Sequence, residues 1–553
     1  MNIVKQLLCG LLSLSMITNI SAQSDYQIEK LHAGINTDDY DEISPVVNLE
    51  GDRMFFTRVG YPEYKSTLIE KGKDLSKEMP KASFRDYLKG IFSTIAKRHI
   101  TNPEQSSFNQ DIWVAKSSSS VFDSIAHPEY PLNNALPNSV CSLTPSENEV
   151  ILLNQFVEEG GMRKGFSVSR QYANGNWSFP EPITINNYHN SGPDVSMTMS
   201  QDGSVIILAM ERSDSRGKTD LYISFRLSDQ EWSTPKNMGS VINSSRRETN
   251  PFLSADNKSL FFSSNRMGSS GGSDLFVVYR DGKTWDDWSK PRRFVAPINS
   301  KSDESQPYFN VNTGYLYFTS KRDGSSDIFR VKIAPPNPIG VVVKGRVINA
   351  KTGKPIDAKV LSGMTQSKHR NIYFADDGSY RMTIRKGAEY TLVAEKPGFT
   401  AEPRTIAFKQ SYVYYKEYKV DLKVHPIEEG SKIKLDPIFF EQSKAVVLKS
   451  SYPAVDKLAD YLKKNTNFYI RIVGYTDNQG EKEALQKLSE ERAEAIKEYL
   501  VYKRRINPVR IKTVGMGAEN PLNDNSSDEL RRQNRRVEAE ITHISQIVML
   551  EKE

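Results

Sequence analysis

Asp274-Leu275-Phe276-Val277 decides how the first 330 residues are read, because the phrase does not stand alone. Asp111-Ile112-Trp113-Val114, Gly165-Phe166-Ser167-Val168, Asp220-Leu221-Tyr222-Ile223 and Asp327-Ile328-Phe329-Arg330 repeat it at spacings of 54, 55, 54 and 53 residues. A second phrase, Trp-Ser-x-Pro, starts at Trp177, Trp232 and Trp288, and each copy leads to Ile-Asn at Ile185, Ile242 and Ile298. A third phrase precedes the first in its unit: Ser44-Pro45 before Glu50-Gly51, Pro193 before Asp202-Gly203, Pro251 before Asp256-Asn257, and Pro307 before Asn312-Thr313-Gly314. Its closing pairs suit tight hairpin turns, since Gly, Asn and Asp tolerate positive φ.

Between the turns lie short β-rich runs such as Leu260-Phe261-Phe262-Ser263 and Tyr315-Leu316-Tyr317-Phe318-Thr319. Each unit therefore reads as four antiparallel strands. A fixed period with four strands per unit favours radial stacking, in which each sheet is covered by its neighbours, and so predicts a β-propeller. The last unit stops at Val331 without its Trp-Ser-x-Pro strand, whereas Tyr26 to His32 precede Ile35-Asn36, where that strand is due. The N-terminal segment is thus expected to complete the C-terminal blade and close a five-bladed propeller over residues 23–333. These phrases resemble the WD-type propeller repeats of bacterial periplasmic proteins, including the TolB family. The first unit carries an insertion over about 60–108, in which Phe84, Tyr87, Leu88, Ile91, Phe92 and Ile95 recur at helical spacing. A helix from about Ala82 to His99 follows, and its apolar face either packs on the propeller or docks another protein.

The whole chain has 553 residues, too many for one core. Its 74 Lys and Arg against 68 Asp and Glu leave a net charge of only +6, spread without clusters, which argues against a nucleic-acid partner. Lys5, the apolar run Leu7 to Ile17, and Ser21-Ala22 before Gln23 read as a signal peptide over residues 1–22. Leu7-Leu8-Cys9-Gly10 superficially resembles a lipobox, but almost no hydrophobic region precedes that cysteine. No run approaches the roughly 20 apolar residues of a transmembrane helix. Cleavage leaves Cys141 alone, which excludes an internal disulfide and a multi-cysteine metal site and suggests a packing residue. No cofactor or metal is expected.

Ala334-Pro335-Pro336-Asn337-Pro338 forms a stiff linker. Beyond it, Val343 to Val347, the turn Thr352-Gly353-Lys354-Pro355, Ala358-Lys359-Val360, Asp377-Gly378-Ser379-Tyr380, and Tyr390 to Lys396 before Pro397-Gly398-Phe399 suit a small β-sandwich over 341–425. They resemble the carboxypeptidase regulatory-like domain, an accessory module that brings no catalysis with it.

From residue 433 the pattern alternates strand and helix: Ile433 to Phe440, a helix from Tyr452 to Lys464, Phe468 to Tyr475, a helix from Glu481 to Tyr502, Val509 to Val514, and Arg536 to Ile541. This order predicts helices packed on a sheet, an α/β domain over 433–545. On the second helix Leu485, Leu488, Ile496 and Tyr499 make the apolar stripe, and Arg492 falls inside it. A guanidinium facing the sheet requires a partner, and Asp477 in the loop Gly474-Tyr475-Thr476-Asp477 is the candidate. Two readings follow: a structural salt bridge or cap, or an amphoteric pocket in which Asp477 binds an ammonium while Arg492 grips a carboxylate.

Phe439-Phe440, Gly474-Tyr475-Thr476-Asp477, Gly480, Leu488-Ser489-x-x-Arg492-Ala493, Gly515-x-Gly517, Pro521 and Asn534-Arg535-Arg536-Val537-Glu538 resemble the OmpA C-terminal, peptidoglycan-binding family. The resemblance implies that Asp477 takes the ammonium and Arg492 the α-carboxylate of diaminopimelate in the peptidoglycan stem peptide, with Thr476, Asn534 and Arg535 in support. Leu485 stands where that family usually has Asn, which puts one polar contact in doubt.

The order propeller, sandwich, OmpA-like domain resembles that of PorE-type proteins of the Bacteroidetes type IX secretion and gliding machinery, although their usual N-terminal helical repeat domain is not read here. The sequence thus predicts a periplasmic, non-catalytic scaffold near the outer membrane that holds peptidoglycan and presents its propeller to envelope or secretion-system proteins. The competing class is a glycan-active enzyme with carboxylates gathered in the propeller channel. Against it, His32, His99, His127, His189, His369, His425 and His543 are scattered, and Asp111, Asp220, Asp274 and Asp327 recur with the repeat, as structural residues do.

Overall fold

A computed structural model of the protein describes residues 26–542 apart from 118–120, 159, 229–230, 281, 283, 337–339, 366–369, 386, 409–416, 428–429, 431, 434, 442–443 and 466–467. The expected signal peptide lies outside the described residues. The chain divides into two compact units, one within 1–346, 360–392 and 404–421, the other within 347–359, 393–403 and 422–553.

In the first unit, residues 28–332 form five four-stranded antiparallel sheets. Their innermost strands, Asp41–Val47, Val140–Leu143, Ser196–Met199, Glu248–Leu253 and Glu304–Asn310, neighbour one another in that order, and the fifth returns to the first. Side chains tie sheet to sheet around this cycle. Ser142 Oγ accepts from Met199 N–H (3.2 Å), Ser196 Oγ from Asn250 N–H (3.0 Å), and Gln306 Oε1 from Ser44 N–H (2.9 Å). Because each sheet lies between two others, a strand such as Val205–Met210 is buried at every position, and a continuous apolar run replaces the alternation of a one-sided sheet. Ile28–Lys30 is the outermost strand of the fifth sheet, antiparallel to Asp327–Lys332 with Ile28 opposite Val331. Arg330 donates to Glu29 at 2.8 and 2.9 Å, and Lys30 reaches Asp327 at 2.8 Å.

The Ile-Asn repeat has a definite physical task. Asn243 is buried, accepts from Leu221 N–H (2.8 Å) and donates to Leu221 C=O (2.9 Å), so one side-chain amide satisfies both polar groups of a strand residue. Asn299 does the same for Leu275 (2.8 and 3.0 Å), and Asn36 for Ile328 (2.8 and 2.9 Å). Asn133 clamps Ile112 at 2.8 Å on both sides, although no Ile precedes it to advertise the repeat. In the second sheet Ile183 N–H takes over for Phe166 C=O (2.9 Å), and Asn186 turns instead to Glu231 (3.0 Å). Replacing Asn243 by leucine strands the Leu221 N–H and leaves the Leu221 C=O only its bond from Met238 N–H (3.0 Å), which costs about 1–3 kcal/mol. The variant is expected to melt earlier by tryptophan emission, and an unchanged transition would show the clamp to be dispensable.

The repeated Asp and a recurring Glu are also structural. Asp220 accepts from Arg216 and Gly217 N–H (2.8 and 3.2 Å), and Asp274 from Ser270 and Gly271 N–H (2.8 and 3.3 Å), closing the loop that leads into each strand. Glu42, Glu248 and Glu304 are fully buried and pair with Arg58, Arg266 and Arg322 at 2.8, 3.0 and 3.3 Å.

The insertion forms the helix Lys81–Ala96, which stops short of His99 because Lys97 adopts a left-handed conformation and its N–H caps Ser93 and Thr94. Phe84 and Leu88 pack with Val46, Phe55 and Leu136 of the sheets, and Phe92 is buried as well. Of its predicted apolar face, Tyr87 is exposed, and its hydroxyl donates to Glu70 at 2.6 Å.

Residues 340–426 are again strands. In the first unit Gly340–Arg346 pairs antiparallel with Ser379–Arg385, and Glu389–Leu392 with Arg404–Ala407. In the second, Val347–Asn349 pairs parallel with Leu422–Val424, which also pairs with Phe399–Ala401.

The C-terminal sheet has the strand order Lys432–Ile433, Val537–Thr542, Tyr469–Gly474, Ile511–Gly515. Tyr469–Gly474 runs parallel to Ile511–Gly515 and antiparallel to Val537–Thr542. Val455, Leu458, Ala459 and Leu462 of the helix Tyr452–Lys464 and Ala493 and Ile496 of the helix Lys482–Glu498 share one core with Ile470, Ile472 and Ala539. The strand expected over 433–440 is reduced to Lys432–Ile433 and an isolated bridge between Phe440 and Val447. Pro437, which has no N–H for a ladder, lies between them. The second helix ends its α-helical course at Glu498 and widens into a π-helical turn, Tyr499–Lys503.

Candidate functional site

The helix Lys482–Glu498 is brought close to the sheet by three small residues. Gly474 and Gly515 stand opposite each other on parallel strands, directly beneath Ser489. A Cβ on Gly474 would lie 2.1 Å from the Ser489 carbonyl oxygen, and one on Gly515 would lie 2.5 Å from Glu490 N. Ser489 Oγ donates to Gln486 C=O (2.7 Å) and accepts from Gly517 N–H (2.9 Å), fixing the helix to the loop after the strand. One turn further on, this contact delivers Arg492 to the carboxyl end of Tyr469–Gly474, beside the loop that carries Asp477.

Arg492 is 7% exposed. Its Nε donates to Lys444 C=O (3.2 Å), and its guanidinium carbon lies 5.1 Å from the Phe440 ring centre. Among the described residues no carboxylate comes within ion-pair distance of it. Burial and the nearby Arg535 charge lower the pKa of the guanidinium, while the Asp477 carboxylate acts the other way. Asp477 is 8% exposed; its Oδ1 accepts from Gln479 N–H (3.2 Å) and its Oδ2 from Arg535 Nη1. The salt bridge allowed between Asp477 and Arg492 is therefore not formed, and Asp477 caps its own loop rather than the helix, whose first turn has no side-chain cap.

The supporting residues divide by role. Thr476 N–H donates to Gly517 C=O (2.8 Å), while its buried hydroxyl has no partner among the described residues. Asn534 is fully buried; it accepts from Leu522 N–H (2.7 Å) and donates to Asn523 C=O (3.1 Å) and Asn525 Oδ1 (2.8 Å), folding the loop ahead of the helix Asp528–Asn534. That fold sets the direction in which the next residue, Arg535, leaves the helix. Leu485 is buried, with its side chain over Gly480. Phe439 and Phe440 each lie against an arginine, Arg532 at 5.3 Å and Arg492 at 5.1 Å. The arrangement thus offers one carboxylate and, a short distance away, a guanidinium with both terminal nitrogens uncommitted to any acid.

Elsewhere the first unit holds two charged cavities, one of about 720 Å³ lined by Arg170, Asp376, Asp377 and Arg381 among others, and one of about 390 Å³ lined by Glu50, Asp52, Arg53 and Glu147 among others. Where the five innermost strands meet, a cavity of about 30 Å³ is lined by Leu49, Leu143, Phe252, Leu253, Tyr308 and Phe309, with Glu147 as the single carboxylate, and Glu147 accepts from Leu49 N–H at 2.8 Å. No group of three or more His, Cys, Asp and Glu suited to a metal ion occurs among the described residues. Cys141 is only partly buried by its overall surface, yet its thiol is pushed up to about 12 by burial, which keeps it protonated. No described helix is long and apolar enough to cross a membrane.

Residues 439–535 match the model of the OmpA family, so the chain carries an OmpA-family domain at this position. Over 115 residues the chain is 36% identical to outer membrane porin F of Pseudomonas aeruginosa, which is 21% of this chain and 33% of that protein. Over 102 residues it is 38% identical to the peptidoglycan-binding protein ArfA of Mycobacterium tuberculosis, covering 18% and 31% of the two chains. The solved peptidoglycan-associated lipoprotein of Burkholderia pseudomallei is 26% identical, covering 20% of this chain and 89% of that one, with a TM-score of 0.18.

Proposed function

We propose that the protein is a non-catalytic scaffold of the periplasm that grips peptidoglycan through Asp477 and Arg492. The observation that carries this reading is a guanidinium buried in an apolar stripe with no acid paired to it among the described residues, beside a carboxylate in the same field. Burying such a cation is costly unless it is paired, so the missing charge belongs to a ligand. An amino-acid headgroup supplies both charges, its ammonium to Asp477 and its carboxylate to Arg492, as diaminopimelate does. Wall binding by the similar protein ArfA supports the same choice.

In this reading the cyclic array of sheets is a five-bladed propeller over residues 23–333, joined through a carboxypeptidase regulatory-like sandwich over 341–425 to the wall-binding domain over 433–545. A glycan-active enzyme needs two carboxylates, and the cavity where the innermost strands meet offers one, Glu147, which supports a scaffold. The propeller then presents partners to the wall near the outer membrane, and by domain order the assembly served is the type IX secretion or gliding machinery. Crosslinking in cells followed by mass spectrometry tests this last step; partners drawn only from unrelated envelope proteins overturn it.

The full chain is expected to sediment with purified diaminopimelate-type sacculi. Asp477→Ala and Arg492→Ala each remove one of two charge-assisted contacts, worth roughly 1.5–3 kcal/mol, so the bound fraction should fall about tenfold or more. Hydrogen exchange over residues 469–515, a region without tryptophan, should not change. Retained binding in both variants overturns the site.

A further inference from the structure

The first unit holds a crevice to which wall binding assigns no task. Its cavity of about 720 Å³ lies within the size range of small-ligand sites. Residues 170–173 of the array line it together with residues within 344–346 and 373–381 of the strands that follow. The cavity of about 390 Å³ shares Ser146, Asn148 and Arg381 with it and so adjoins it. The lining selects a ligand class by exclusion. Among the described residues Ala173 is the one aliphatic side chain in the larger cavity, so a lipid chain finds nothing to bury against. Most of its positive charge is already answered: Arg170 pairs with Asp376 (3.2 Å), Lys344 with Glu417 (2.5 Å) and Arg381 with Glu50, and a polyanion therefore gains little. Arg170 also lies over the Tyr172 ring at 4.4 Å and over the Phe374 ring at 3.8 Å, which takes the ring faces that a flat heterocycle would stack between.

What remains is two half-buried rings and a set of planar polar groups. Asn148 is held in place by its C=O, which accepts from Gln171 N–H (2.8 Å), while its exposed amide has no partner among the described residues. Arg346 is held by its N–H, which donates to Asp421 (2.9 Å), and its exposed guanidinium is likewise uncommitted. A sugar ring meets these terms, because its hydroxyls both donate and accept and its C–H face is flat enough to lie on an aromatic ring. We propose that the crevice binds an oligosaccharide, with sugar rings laid on Tyr172 and Phe374 and hydroxyls taken by Asn148 and Arg346. The site is separate from Asp477 and does not rest on the wall-binding reading. It makes the first unit a reader of glycans as well as a platform for proteins.

Isothermal titration of the full chain with chitotetraose, cellotetraose, maltotetraose and mannotetraose is expected to show saturable binding of at least one of them, and no binding of AMP, a flat heterocycle that carries a phosphate. Tyr172→Ala should weaken the sugar binding roughly tenfold, and Asn148→Ala roughly three- to tenfold. Trp177 forms an isolated bridge with Gln171 beside the turn, so an unchanged tryptophan-reported melt shows that each variant keeps the turn folded. Asn148→Ala removes only an exposed amide, which keeps the test open if Tyr172→Ala disturbs Arg170. Asp477→Ala should bind the sugar as wild type does. The inference is overturned if no tetrasaccharide binds, if AMP binds in their place, if Tyr172→Ala and Asn148→Ala both bind as wild type, or if Asp477→Ala abolishes sugar binding. Failure of the chain to sediment with sacculi bears on the wall-binding reading alone.

Discussion

A Gly474→Ala chain is expected to lose wall binding together with the local stability of the domain that provides it. The added Cβ would meet the Ser489 backbone carbonyl at 2.1 Å, and backbone in the middle of a helix has no rotamer to swing away. The helix Lys482–Glu498 must lift as a body, which opens the core under Ala493 and Ile496 and withdraws Arg492 from Asp477. A penalty of roughly 3 kcal/mol or more follows for such overpacking. All five tryptophans lie between Trp113 and Trp288, so tryptophan emission reports only on the five-sheet array and should melt normally. Hydrogen exchange over residues 469–515 should rise sharply. Unaltered exchange and sacculus binding would show that the close approach of helix and sheet is not required.

Deleting residues 26–30 is expected to produce the second large effect. Asp327–Lys332 then becomes an open edge ready to pair with another chain, and the buried Asp327 loses Lys30. Lys30 is 37% exposed, so the ion pair itself is a minor term. The larger losses are the ladder opposite Phe329, Arg330 and Val331 and the Glu29 partner of Arg330. The tryptophan-reported transition should drop by roughly 5–10 °C, with aggregation on heating. A melt that coincides with that of the full chain would mean the strand adds nothing to the array.

Strands in the array were legible where the repeat spells them out. The shortfall of one strand after Val331 and the surplus before Ile35 pointed to one sheet, and Ile28–Lys30 pairs there. What remained hidden was the reason for the phrases. The amide of Asn243 serving both polar groups of Leu221 is a contact across 22 residues, and Asn133 performs the same task with no repeat phrase around it. The burial of Glu42, Glu248 and Glu304 with their arginines was equally silent, because charged residues in a turn-rich text read as surface. At the candidate site, helical periodicity placed Arg492 facing inward. It gave no access to Arg535, which follows the last residue of a short helix, where no stripe marks a direction. Of the two readings open for Asp477, the salt bridge to Arg492 is not formed, and Arg535 holds the carboxylate instead. Pro437 should have warned against a strand running through to Phe440.

The pairing of Lys30 with Asp327 joins residues 297 positions apart. Among the strands of the array, the first in the chain is thus the last to find its neighbour. Until residues 327–332 have emerged and settled, Ile28–Lys30 trails as a loose end, and closure carries the entropy of bringing together the two ends of almost the whole array. Assembly order is in this way written into the circle. The sheets between can form in sequence as they arrive, and the completed ring appears in one final step that waits for its own beginning.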